Sequence, residues 1–185
     1  MSVLNLPTCP TDCAGSLPDV SFNDCAPEVF FGEIAKIYVA KSDAADFSDV
    51  EDLAEWTTRL SQTGDGADNI RELTVIAELP EPETTEQPIS ADRLIVGYRG
   101  FVINGEIDEN NDTNYNFMLN LQCNLKHKVW YETADGILYG GNEGIQATIR
   151  AHEFIPRART DVKKIMFNIK WKSKFSPLRC VSPNA

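Results

Sequence analysis

The stretch "KKIMFNIKWKSKF", residues 163–175, decides how the chain is read. Ile165, Phe167, Ile169, Trp171 and Phe175 fall on one parity, and Lys164, Met166, Asn168, Lys170, Lys172 and Lys174 on the other. A period of two is that of a strand whose successive side chains point to opposite faces, one against a core and one away from it. A strand this apolar on one side needs a sheet to close over, and one this basic on the other needs a reason.

The reason does not lie in the overall charge. The 185-residue chain carries a formal net charge of -11, with 42% hydrophobic residues, enough to bury a substantial single core. Residues 1–110 hold 22 Asp+Glu against 6 Lys+Arg, a net of -16, whereas residues 111–185 hold 6 against 11, a net of +5. So acidic a surface repels nucleic acid, which excludes tight DNA binding but leaves room for a surface that DNA passes without sticking. The same asymmetry favours contact between the acidic part of one copy and the basic part of another. No run of apolar residues has the length of a membrane span, and the opening "MSVLNLPTCPTDC" has no secretory pattern, so the expectation is a soluble chain made in the cytoplasm with no membrane partner.

Working outward from 163–175, the remaining periodicities predict a mainly β protein, an antiparallel sandwich or barrel with one or two packed α-helices. Residues 1–28, with Pro7, Pro10, Pro18 and Pro27, are expected to form an extended arm, residues 29–178 a single β-rich domain, and residues 179–185 a tail. Strands are predicted at 28–41, 70–79, 93–107, 126–133, 137–140 and 145–155, with Gly97 and Gly100 as bulge or bend positions. Ser48 and Glu51 have the spacing of a capping box ahead of a helix over 49–61, and Asp112 or Thr113 can cap a second over 112–122. "PEPETTEQP" (80–88), rich in prolines and acids, is predicted to project as an acidic loop or hairpin tip at about 80–90.

Candidate chemistry is thin. Cys9 and Cys13 form a close pair with no second pair to complete a zinc site, Cys25, Cys123 and Cys180 stand apart, and a disulfide is the other alternative to plain thiols. "DENNDT" (108–113) starts like a calcium loop, but Thr113 stands where glycine is needed and Leu119 where a glutamate should close it. His127 and His152 are the only histidines and read as surface or interface residues. The glycines of "GDG", "GYRG" and "YGGNEG" lie outside any strand–loop–helix phosphate motif. No catalytic constellation, metal or cofactor is expected. The aromatics Tyr98, Trp130, Tyr131 and Tyr139 leave a carbohydrate-binding module as an alternative.

The order of "APEVFFGEIAKIYVAK" (26–41), "FSDVEDLAEWTTRL" (47–60), "NDTNYNFMLNLQC" (111–123), "VWYETADGILYGGNEGI" (129–145) and "KIMFNIKWKSKFSP" (164–177) resembles a group of phage and prophage virion structural proteins from Bacteroidota-type hosts. Within it, the β-rich core is similar to tail tube subunits. The resemblance implies a non-enzymatic homo-oligomer, a ring or tube in the virion, contacting other virion proteins and passing DNA through its lumen without specific binding. A tail connector ring or a capsid decoration protein is the nearest alternative place. On this reading Lys164, Lys170, Lys172 and Lys174 form a subunit contact facing an acidic neighbour.

Overall fold

A strand buried on one face reads as an alternation, and a strand buried on both reads as a continuous apolar run. The chain contains both kinds, and its architecture uses both. The computed structural model describes residues 32–90, 93–123, 126–158 and 160–184. Its elements are β1 (Ile34–Lys41), α1 (Leu53–Ser61), β2 (Arg71–Glu78), β3 (Glu83–Ser90), β4 (Arg93–Ile107), α2 (Asp112–Cys123), β5 (Lys126–Thr133), β6 (Ile137–Tyr139), β7 (Ile145–Phe154), β8 (Lys164–Ser173) and β9 (Arg179–Val181). The arm expected at 1–28 lies outside the described residues.

Six strands close into an antiparallel barrel in the order β1-β2-β4-β8-β7-β5, sealed by β1 against β5, with Ile37 opposite Tyr131 and Val39 opposite Val129. Of the two predicted architectures, the barrel is the one formed. The apolar parity of β8 faces inward: Ile165, Phe167, Ile169 and Trp171 meet Ile103 and Phe101 of β4 and Ile149 and Ala151 of β7. Each fully buried isoleucine among them contributes on the order of 2 kcal/mol. Phe101 and Trp171 stack with ring centroids 5.1 Å apart, and Tyr131 stacks on Tyr139 at 4.8 Å. Phe175 follows the end of β8 and is only half-buried. At the opposite end α2 inserts Met118 and Leu121 into the barrel core, and Gln122 Nε2 donates to the Ala151 carbonyl at 2.8 Å.

A second core lies outside the barrel wall. β1 and β5 turn Ile37, Val39, Val129 and Tyr131 inward, while Tyr38, Ala40 and Trp130 point outward under α1 with Phe47, Val50, Trp56 and Leu138. Trp56 is fully buried, stacks on Phe47 at 4.5 Å and donates its indole N–H to the Val50 carbonyl at 2.8 Å. Trp130 donates to the Gly141 carbonyl at 2.8 Å. A Cβ on Gly144 would lie 2.6 Å from the Trp130 ring, and its φ of +69° is unfavourable for any other residue.

Several expected boundaries change. α1 starts at Leu53, not near Ser48: Asp52 caps it by accepting from Ala54 N–H at 2.9 Å, and Glu55 reaches back to Ser48 N–H at 3.1 Å. Asn111, not Asp112 or Thr113, caps α2, accepting from Asn114 N–H at 2.8 Å. The segment 80–90, expected to project as a loop or hairpin tip, is largely one strand of a hairpin and not its tip: β3 pairs with β4 from Glu83 opposite Gly100 to Ser90 opposite Arg93. Pro88 is tolerated there because an edge strand has one side with no ladder to interrupt. The register slips across Gly97 and Tyr98, so the bulge expected at Gly97 forms, whereas Gly100 pairs regularly with Lys172. The segment 179–185, expected to be a tail, contributes β9, which joins the sheet through Cys180 opposite Leu138.

Candidate subunit-interface surface

The outward parity of β8 is where the lysines stand. Lys170 and Lys172 are exposed on the barrel wall, Lys174 is exposed just beyond it, and Arg150 extends the patch onto β7, opposite Asn168. Lys174 Nζ sits 5.6 Å from the Phe175 ring centroid. Lys164 differs. Its ammonium lies 2.7 Å from a Glu106 oxygen and 3.1 Å from an Asp108 oxygen, and the hydrogen bonds it donates, to Glu106 first and Asp108 second, hold it protonated above the usual lysine range. It ties β8 to β4 within one chain, so the exposed basic wall consists of Lys170, Lys172, Lys174 and Arg150. Between the two regions Asn168 donates its amide to Asn104 across the β4–β8 pair.

The wall on the other side has the opposite sign. Outward positions of β2 are Glu72, Thr74, Ile76 and Glu78, all exposed, and Glu33 precedes β1. Ile76 is 53% exposed and forms, with Met166, the apolar floor of a groove of about 450 Å³ rimmed by Glu33, Glu78 and Glu106. The signal for this wall was present in "RELTVIAE", whose parity separates Glu72, Thr74, Ile76 and Glu78 from Leu73, Val75 and Ala77. A charge balance taken along the chain hides it, because the segregation runs around the strand.

The third feature is the β3–β4 ribbon. β4 pairs with β8 only from Arg99 onward and with β2 only at Asn104–Glu106. Its first half therefore continues past the rim opposite α2 paired, among the described residues, with β3 alone. Among the described residues β3 pairs with no strand but β4. Tyr98 stands 64% exposed at its base.

Other singled-out residues have structural partners. Asp108 binds Lys164, and Asn110 donates to Glu153 at 2.8 Å, so "DENNDT" is a strand end and helix cap. His152 is exposed, but His127 is buried within the subunit, contrary to its expected surface or interface position, because its parity on β5 faces inward. Trp130 and Tyr131 are buried in the two cores and Tyr139 is stacked on Tyr131, which leaves Tyr98 alone of the four aromatics open to a sugar. Cys123 and Cys180 are free thiols, the latter raised in pKa by burial and then by Glu51 and Asp49. Cys9, Cys13 and Cys25 lie outside the described residues.

Buried charges hold the outer layer together, as buried polar groups do when paired. Lys128 Nζ contacts Asp46 Oδ1 and the Ala44 carbonyl, both at 2.5 Å. Arg59 donates to the Ala45 and Asp46 carbonyls and to Glu55 Oε1 at 2.6, 2.8 and 2.6 Å. Glu132 accepts from Tyr38 at 2.9 Å and from Ser182 at 2.7 Å, fastening the residue after β9 to the wall.

Among the described residues no group of three or more His, Cys, Asp or Glu is placed to hold a metal ion. No helix among them is long and apolar enough to cross a membrane. No protein-family model, curated protein or solved structure matches the chain.

Proposed function

We propose that the chain is a non-enzymatic structural subunit of a bacteriophage virion, a tail tube protein whose copies join into stacked rings around a DNA conduit. The observation that carries the assembly reading is the β3–β4 ribbon. A two-stranded ribbon is marginal by itself in water, and an exposed edge is a template for another chain unless a partner covers it. Here the ribbon stands clear of a barrel that is already closed without it, which favours a contact outside the subunit. The exposed lysine wall supports the same reading, because a basic surface on a chain of net charge -11 finds its complement on another copy.

The resemblance in motif order supplies the kind of particle, and the acidic balance suits a lumen through which DNA moves without adhering. Other virion proteins are the expected further partners, and the virion, assembled in the host cytoplasm, the expected location. Negative-stain microscopy of the purified protein tests the proposal directly. Rings or tubes are the expected result, and a protein that stays monomeric in sedimentation at high concentration would sink it.

A further inference from the structure

The barrel order fixes where the two charged walls lie. In the ring β1-β2-β4-β8-β7-β5, β2 lies two places from β8, across β4, and three places from β7. The glutamates of β2 and the Lys170, Lys172 and Arg150 patch of β8 and β7 therefore face in substantially different directions around the barrel. Among the described residues no ion pair joins them within one copy. Lys164, which sits nearest the acidic side, is already bound by Glu106 and Asp108, so it is not free to reach the outer acids of β2.

We infer that the groove over β2 and β4 is the receptor for the lysine wall of a second copy. The inference rests on the assembly reading above and names its two surfaces. The groove offers apolar floor at Ile76 and Met166 and acids at its rim, Glu33 and Glu78, with Glu72 further along β2. Lysine side chains match that arrangement, because their aliphatic stems cover apolar surface while the ammonium reaches an acid beyond it. A central apolar contact with charges around it is also the usual anatomy of a specific interface. Since the donor and receptor surfaces are different parts of the molecule, the contact is heterologous and repeats from copy to copy, closing as a ring or continuing as a helix. A two-fold pairing of either wall with itself would set like charges face to face.

The test is a charge swap with four samples: the native protein, K170E/K172E, E72K/E78K, and an equal mixture of the two variants. The readout is the protein concentration at half-assembly by light scattering and sedimentation. Each variant alone carries like-charged walls and is expected to need at least about tenfold more protein to assemble. In the mixture each native wall meets a native complement and each reversed wall a reversed one, so assembly should return to within about threefold of native. The conservative pair Glu72→Gln/Glu78→Gln should fall between native and E72K/E78K, with a native near-ultraviolet circular dichroism spectrum showing that the fold is kept. Native-like assembly of E72K/E78K, or a mixture no better than its components, overturns this interface while leaving assembly itself standing. A native protein that never assembles overturns the assembly reading, and this interface with it.

Discussion

Replacing residues 85–98 by Asn-Gly removes the ribbon and leaves the barrel. The excision is set by the register: Thr84 lies opposite Arg99, so a two-residue turn can join them without moving either strand. None of the described residues of the barrel core comes from 83–98, and the β4–β8 ladder begins at Arg99, so none of the core contacts among the described residues is removed. The excision also shortens the excursion between the paired residues Glu78 and Asn104 to about half its length, which lowers the loop-closure cost by ~0.6 kcal/mol. For a chain of this size that corresponds to a thermal midpoint unchanged or raised by about 2 °C. Differential scanning calorimetry measures the midpoint and negative-stain microscopy the particles. The expected result is a folded protein of native stability that no longer forms rings or tubes. Native particles from the shortened chain would refute the assembly role of the ribbon, and an unfolded product would refute its independence from the barrel.

Trp56→Ala empties the centre of the outer core and leaves the Val50 carbonyl unpartnered, so urea unfolding should register a loss of about 3–5 kcal/mol. Gly144→Ala forces a Cβ against Trp130 at a left-handed backbone position; about 2–4 kcal/mol should be lost, with a change in tryptophan fluorescence. Lys170, Lys172 and Lys174 changed together to Glu should shift the thermal midpoint by no more than about 2 °C, since exposed charges contribute little to stability. Assembly of that triple variant should weaken, and more at low salt, where repulsion is least screened. Burial, with the Glu132 hydrogen bond next, raises the Tyr38 pKa, and burial raises that of Tyr131. Both phenols stay protonated in the folded state after their unfolded counterparts ionise, so stability is complete below pH ~10 and falls as pH rises above it. Urea midpoints at pH 9 and pH 11 should show that fall, and Tyr38→Phe should lessen it.

Where one face of a strand is buried, the sequence was easy to read. The parity of Ile165 to Trp171, and of Ile145 to Ala151, places the same residues in the barrel that a period of two selects. Two-sided burial made "IYVA" (37–40) and "VWY" (129–131) apolar or aromatic at every position, which identifies a strand but not which side faces which core. For that reason His127 was misplaced, although its parity is that of Val129 and Tyr131. β3 escaped because proline and glutamate composition signals solvent, and a ribbon exposed to solvent has the same composition as a loop. β9 spans three residues, too few for a period to show. The closing β1–β5 pair joins residues far apart in the chain, and nothing local encodes it. The lysine wall was legible from β8 alone, but its separation from Lys164 depends on β4 bringing Glu106 and Asp108 alongside.

The account rests most directly on the assembly state of the unmodified protein. Sedimentation velocity across a wide concentration range, with negative-stain imaging of the fastest species, measures it. The prediction is a discrete ring that stacks into tubes as concentration rises and salt falls. A single monomeric boundary at every concentration and salt would contradict it.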